Sequence, residues 1–284
     1  ISLALSTLVL FAGNAYNGSR RWLSLGPLSF QPSEFAKLAV ILFLARMVGR
    51  QKKKRNSFLN LVFVIALVLP SVALVGTNNL STAIIILGIA VIVVFVSDKR
   101  YMQFVWIAAA GACMMALFLG MESYRLERIA IWKNPEAYEK GYQTIQGLYA
   151  IGSGGLFGRG FGESIQKLGF VPEAQNDMIF SIICEELGFV GATILMLVFL
   201  VLIWRFMVIA VHAPDLFGSL IAAGAMGHIA IQVILNVAVV TNTIPNTGIT
   251  LPFISYGGTS VLFLLSEMGL VLAVSRWQSE KKCI

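Results

Sequence analysis

Long apolar runs alternate with short polar connections along almost the whole chain. Runs long enough to cross about 30 Å of hydrocarbon fall at Phe58–Gly76, Leu80–Ser97, Tyr101–Gly120, Met178–Phe206 and Leu216–Val240. Two shorter ones lie at Ser33–Val48 and Val261–Val274. An eighth, Ile1–Gly13, starts mid-segment without a methionine, which predicts that the natural N-terminus lies upstream. The runs are continuous and rich in Leu, Ile, Val and Ala, without the short apolar–polar alternation of membrane barrel strands, so they predict helices. Pro70, inside one run, predicts a kink. The expected fold class is an all-α polytopic membrane protein, a single transmembrane domain over residues 1–284.

Composition agrees: 57% of residues are hydrophobic and only 12% charged, far from a soluble domain. The basic residues are unevenly shared among the connections. Arg46, Arg50, Lys52, Lys53, Lys54, Arg55, Lys99, Arg100, Arg205, Arg276, Lys281 and Lys282 fall on one side, which accounts for twelve of the 21. By the positive-inside rule that side is cytoplasmic, so the C-terminus is expected inside and the connection 122–177 outside. The patch at Lys52–Arg55 reads as a topology and anionic-lipid signal, and no nucleic-acid partner is expected.

The connection 122–177 is polar and glycine-rich, and it ends at Asp177 directly before an apolar run. A carboxylate there sits where water meets lipid. It reads either as a reactive group at the mouth of a bundle or as a helix N-cap favoured by the dipole. The cluster Gly152–Gly162 has neither nucleotide-loop spacing. Its density suggests tight turns and close approach of the backbone to a bulky ligand. Cys113, Cys184 and Cys283 outline no disulfide framework, and with only His212 and His228 a zinc site or a Ser-His-Asp triad is not expected.

Charges inside the apolar runs carry more information. Glu34 and Lys37 follow Gln31-Pro32-Ser33 and lie three residues apart, on one helix face. They can neutralise each other or serve a ligand. Arg20 and Arg21 lie just upstream on the expected outer side, where guanidinium groups suit a diphosphate. His228, Gln232 and Asn236 recur every four residues and share a face suited to interhelical hydrogen bonds. Glu185, Glu186 and Glu267 are structural or supporting candidates.

Several motifs occur together in a fixed order: Gly18-Ser-Arg20-Arg21-Trp22, Gln31-Pro-Ser-Glu34-Phe-Ala-Lys37, Gly141-Tyr-Gln143, Ala150-Ile-Gly-Ser-Gly154-Gly155, Pro172-Glu-Ala174, Asp177, Glu185-Glu186-Leu-Gly188 and Pro252-Phe-Ile-Ser255-Tyr256-Gly257-Gly258. From about Asn14 to the end the chain resembles the SEDS proteins, the FtsW/RodA/SpoVE group, and most of all the FtsW and SpoVE types. The resemblance implies a SEDS-type bundle of ten helices, of which this chain holds about the last eight, with a large extracellular loop at 122–177. It implies a peptidoglycan glycosyltransferase of the bacterial plasma membrane that polymerises lipid II, working beside a class B penicillin-binding transpeptidase and the proteins of division, elongation or sporulation. It also implies Asp177 as the catalytic residue, with Arg20, Arg21, Glu34, Lys37, Gln143, Ser255 and Tyr256 as substrate-binding candidates. A divalent cation, magnesium or manganese, is a candidate cofactor. One departure stands out: relatives usually carry a Pro-Asp-x-Gly-[ST] type motif where this chain reads Asn78-Asn79-Leu80-Ser81-Thr82.

In that reading Asp177 accepts the proton of the acceptor sugar's 4-hydroxyl as it attacks the donor's anomeric carbon, and the lipid diphosphate leaves with inversion. Arg20, Arg21 and Lys37 are the groups to stabilise the departing charge. The rivals are a flippase for lipid-linked precursors and a non-catalytic scaffold for the transpeptidase.

Overall fold

The computed structural model describes residues 1–16, 19–25, 28–50, 63–97, 105, 109, 111, 113 and 123–282. The helices are α1 (Ser2–Ala12), α2 (Pro32–Arg50), α3 (Leu69–Asn78), α4 (Leu80–Ser97), α5 (Ser123–Lys133), α6 (Tyr142–Gly154), α7 (Ile179–His212), α8 (Leu216–Val240) and α9 (Gly258–Lys282). Among the described residues, four stretches are long and apolar enough to cross a membrane: Leu80–Ser97, Ile179–His212, Leu216–Val240 and Gly258–Gln278. The protein is a helical, multi-pass membrane protein. Most of the expected run Tyr101–Gly120 lies outside the described residues, though Val105, Ala109, Gly111 and Cys113 within it are helical.

Two details depart from simple apolar spans. Past Phe63 the helix is interrupted by a turn at Leu67 and Val68, and α3 restarts with Pro70 in its first turn, where the missing N–H removes no helical bond. The connection after α1 contains three short antiparallel strands, β1 (Asn14–Tyr16), β2 (Ser19–Leu25) and β3 (Leu28–Phe30), in the order β1-β2-β3. Ala15 pairs with Arg20, and Ser24 with Ser29. No strand is expected there from the apolar pattern, because β1 and β3 have only three residues each and Ser19–Leu25 shows no strict apolar–polar alternation.

The chain divides into two compact units, Ile1–Phe104 with Leu202–Ile231 and Gly257–Ile284, and Val105–Val201 with Gln232–Tyr256. In the first, α2, α4 and the start of α8 pack closely, with Ile41, Leu44, Ile85, Ile86 and Ile89 buried. Gly224 of α8 makes this approach possible: a Cβ there would lie 2.9 Å from Ile41 and 3.1 Å from Val93. Lipid tails are as apolar as Leu, so such fitted contacts, rather than escape from water, hold helices together in a bilayer. Asn79 accepts a bond from the Thr82 N–H at 3.1 Å and caps α4.

In the second unit, α6 lies against the start of α7 on a face of small residues. A Cβ on Gly147 would meet the Met178 side chain at 2.2 Å, and one on Gly154 the Cys184 carbonyl at 1.9 Å. Helix α7 is broken at Gly188, whose φ of 66° and ψ of −168° leave the helical region. The break frees backbone groups that need partners, and the glycine-rich loop supplies them. The N–H groups of Arg159 and Gly160 each donate at 3.0 Å to the carbonyls of Glu185 and Glu186. Phe189 and Val190 donate in turn to Gly155 and Leu156, at 2.9 and 3.0 Å. At Gly158, φ +78°, a Cβ would fall 2.1 Å from the Glu186 carbonyl oxygen. The close approach expected of this cluster is thus made to the chain's own backbone.

Candidate functional site

Asp177 lies near the end of the run of turns that leads from Val171 to Met178 and stands two residues before α7, outside the membrane-crossing segment. Three successive carbonyls fix its backbone. That of Gln175 accepts from the Tyr256 N–H at 2.9 Å, that of Asn176 from Ser255 Oγ at 2.6 Å, and that of Asp177 from Asn236 Nδ2 at 2.9 Å. Ser255 Oγ also accepts from the Leu251 N–H at 2.7 Å, so its hydroxyl is fully employed in holding chain to chain. The Tyr256 ring remains exposed. Asn236 is fully buried and donates as well to the Ile249 carbonyl. Four residues earlier on α8, Gln232 donates to the Thr250 carbonyl at 3.0 Å.

The carboxylate itself is only 8% exposed. Gln143, in the first turn of α6, donates to Oδ1 at 3.4 Å and to the Pro172 carbonyl at 3.3 Å. Asn246 donates to Gln143 Oε1 at 3.1 Å, which fixes which end of that amide faces the acid. Its own backbone N–H also helps to hold the carboxylate. Gly248, at φ +69°, passes the second oxygen, and a Cβ there would lie 3.6 Å from Oδ2. Burial pushes the Asp177 carboxyl up to about 6, with help from the like charge of Glu173; its own N–H, Gln143 and the Arg128 cation hold it down. Glu173 adopts φ 54° and bonds to the Asn176 side chain.

In the first unit the buried charges form pairs. Lys37 Nζ lies 2.8 Å from Glu34 Oε1, one helical turn away, with both side chains buried. Glu34 Oε2 is buried, with no hydrogen-bond partner within bonding distance among the described residues. His228 Nδ1 lies 2.8 Å from Glu267 Oε2, joining α8 to α9. Arg20 and Arg21 belong to β2, and their side chains lie outside the described residues. Among the described residues no three His, Cys, Asp or Glu side chains converge on a metal-sized site.

Comparison with known proteins gives this arrangement its context. The chain matches the FtsW/RodA/SpoVE "Cell cycle protein" family over residues 1–280. It belongs to that family. It is 43% identical to stage V sporulation protein E of Bacillus subtilis, over 97% of this chain and 76% of the relative. It is 38% identical to the probable peptidoglycan glycosyltransferase FtsW of Trichlorobacter lovleyi, over 97% of this chain and 74% of the relative. Among solved structures it resembles a chain of a peptidoglycan synthase complex described as coordinating polymerization and crosslinking, with a TM-score of 0.78 and 33% identity, covering 97% of this chain and 78% of that one. The rod shape determining protein RodA of Thermus thermophilus gives a TM-score of 0.68 at 31% identity, covering 97% and 75%.

Among the FtsW/RodA/SpoVE motifs in this chain, the structure brings Gln143, the Ser255 hydroxyl, the Tyr256 backbone and Asp177 together, and separately pairs Glu34 with Lys37. Sequence reasoning missed Asn246 and Arg128. Asn246 lies in Thr243-Ile-Pro-Asn-Thr-Gly248, an aperiodic loop that gives no hint of facing α6, 103 residues away. Arg128, whose Nη1 donates to the Asn246 carbonyl at 3.3 Å, lies in the polar connection with no motif or spacing that marks it.

Proposed function

We propose that this protein is an inverting peptidoglycan glycosyltransferase that polymerises lipid II at the outer face of the plasma membrane, with Asp177 as general base. The observation carrying this reading is a buried carboxylate with its backbone clamped at three consecutive carbonyls, one oxygen held by Gln143, and a carboxyl pushed up to about 6. A base near that value is mostly ionised at neutral pH yet basic enough to take a proton as a bond forms. Relatives named as peptidoglycan glycosyltransferases support the reaction class.

The proton of the acceptor 4-hydroxyl passes to Asp177 while the oxygen attacks the donor's anomeric carbon, and the lipid diphosphate departs from the opposite face. Arg20, Arg21 and Lys37 are the proposed cations for the departing charge. Magnesium or manganese, where used, would arrive with the diphosphate, since magnesium commonly binds through substrate phosphates and one or two carboxylates. The likeness to a peptidoglycan synthase complex supports a class B penicillin-binding protein as partner.

The test is polymerisation of purified lipid II by the full-length protein with its transpeptidase. Asp177→Asn should insert into membranes and make no glycan; near-normal chains from that variant would remove the base assignment. Transbilayer movement of labelled lipid II without polymer would favour a flippase instead. Sidedness is checked separately in intact cells. A cysteine at exposed Glu163 should react with a membrane-impermeant thiol reagent and Cys283 should not; the reverse would place Asp177 on the cytoplasmic side.

A further inference from the structure

The loop that repairs the break in α7 exposes an unusual share of large apolar side chains beside its charged ones. Its cations pair with the α7 carboxylates while staying partly exposed to the surroundings: Lys167 lies 2.7 Å from Glu186, and Arg159 3.6 Å from Glu185. Its large apolar side chains face outward, with Phe157 81% and Phe161 86% exposed, and Leu156 and Leu168 mostly exposed as well. The loop is held to α7 by four backbone hydrogen bonds, so this outward apolar face is fixed in place rather than a loose excursion of the chain.

Helix length gives the loop's level. Helix α7 has 34 residues, more than a bilayer core requires. The part beyond the break, Phe189–His212, rises roughly 36 Å at about 1.5 Å per residue, enough by itself to cross about 30 Å of hydrocarbon. Glu185 and Glu186 stand immediately before the break, at the point where charges should leave the lipid. Beyond it, Phe189, Ile194, Leu197 and Val198 are exposed along α7, as the lipid side of a crossing helix would be. Leu156, bonded through its carbonyl to Val190, continues that apolar surface onto the loop.

We propose that the loop Gly155–Leu168 docks into the leaflet at the N-terminal end of α7, with Phe157 and Phe161 inserted at the headgroup–acyl boundary and the Arg159 and Lys167 pairs just above it. The occupant of this surface is lipid. Aromatic and aliphatic groups inserted about 5–10 Å at such a boundary, with cations at its polar edge, are the usual form of an interfacial anchor. The inference requires only that α7 crosses the membrane, and stands whether or not Asp177 is the general base.

Site-directed spin labels test it. Single cysteines at Phe157, Phe161, Glu163 and Leu197 in a cysteine-free, full-length protein are labelled and reconstituted in phosphatidylethanolamine/phosphatidylglycerol vesicles, with and without the transpeptidase. All four side chains are exposed, so the labels should not disturb packing. Labels at 157 and 161 should collide readily with oxygen and rarely with a water-soluble nickel chelate, as at 197, in both preparations. The label at 163 should favour the nickel reagent. Nickel access at 157 and 161 equal to that at 163 overturns the proposal. So does shielding at 157 and 161 from both reagents that develops only with the transpeptidase, since the occupant would then be protein.

Discussion

Replacing Asp177 by Asn should make the protein inactive and more stable. Burial holds this carboxyl at about 6 in the folded state against an ordinary 3.8. At about 1.4 kcal/mol per pH unit, the ionised side chain therefore opposes folding by about 3 kcal/mol once both states are ionised. The folded value is the raised one, so the destabilisation is absent below pH 3.8, grows as pH rises towards 6 and is complete above it. An amide carries no such charge and can still accept the Gln143 hydrogen bond. The variant's gain should be about 3 kcal/mol at pH 8, about half of that at pH 5, and small by pH 4. Thermal unfolding of the full-length protein in detergent reads this as a rise on the order of 5–10 °C at pH 8. A gain that is absent at pH 8, or that has the same size at pH 5 and pH 8, refutes the buried-carboxylate argument. Loss of activity with gain of stability is the signature of a group kept under strain for its chemistry.

Gln143→Leu removes a donor to the Asp177 carboxylate, so the acid limb of lipid II turnover should move up by about half to one pH unit if that bond is worth about 1 kcal/mol; a uniform loss at every pH would instead make Gln143 a substrate contact. Lys37→Met strands the buried Glu34 carboxylate and should cost about 3–5 kcal/mol in a thermal melt, while Glu34→Gln with Lys37→Met should recover the fold. That double variant should remain inactive if Lys37 holds the diphosphate, and normal turnover in it would reduce the pair to structure. Gly158→Ala places a Cβ 2.1 Å from the Glu186 carbonyl and should destabilise far more than Gly162→Ala, where φ is +85° but the space is open; equal melting temperatures would show that the loop does not dock on the α7 break.

How far the sequence reaches depends on the range over which a signal acts. The apolar runs Leu80–Ser97 and Leu216–Val240 coincide with α4 and α8, because a residue's preference for lipid is local and sums along a segment. The four-residue spacing of His228, Gln232 and Asn236 predicts interhelical bonding, which His228 makes to Glu267 of α9, whereas Gln232 and Asn236 bond instead to loop and turn groups, Thr250 and the carbonyls of Ile249 and Asp177, partners that follow only from the packed chain. Asp177 was legible as an acid at an interface; its neighbours were not, since Asn246 and Gly248 carry no periodicity and act through a loop closed from far along the chain.

The glycine cluster shows the same limit from the other side. Its density announced close approach, and close approach is what Gly154 and Gly158 make, yet the surface approached is the broken backbone of α7. Gly188 alone could not have identified it, because one glycine in an apolar run is as readily a packing site as a break. Ser164 reads as an exposed loop residue and is in fact buried, with its hydroxyl donated to Glu185 at 2.5 Å. A break in a membrane helix exposes carbonyls and N–H groups that lipid cannot satisfy, so a second segment must cover it. The sequence segment that can do so is one free of side chains on the side that touches. Gly154, Gly155, Gly158 and Gly160 meet that requirement while leaving Leu156, Phe157 and Phe161 to face away, and the repair of the helix and the apolar outer surface of the loop thus follow from the same spacing.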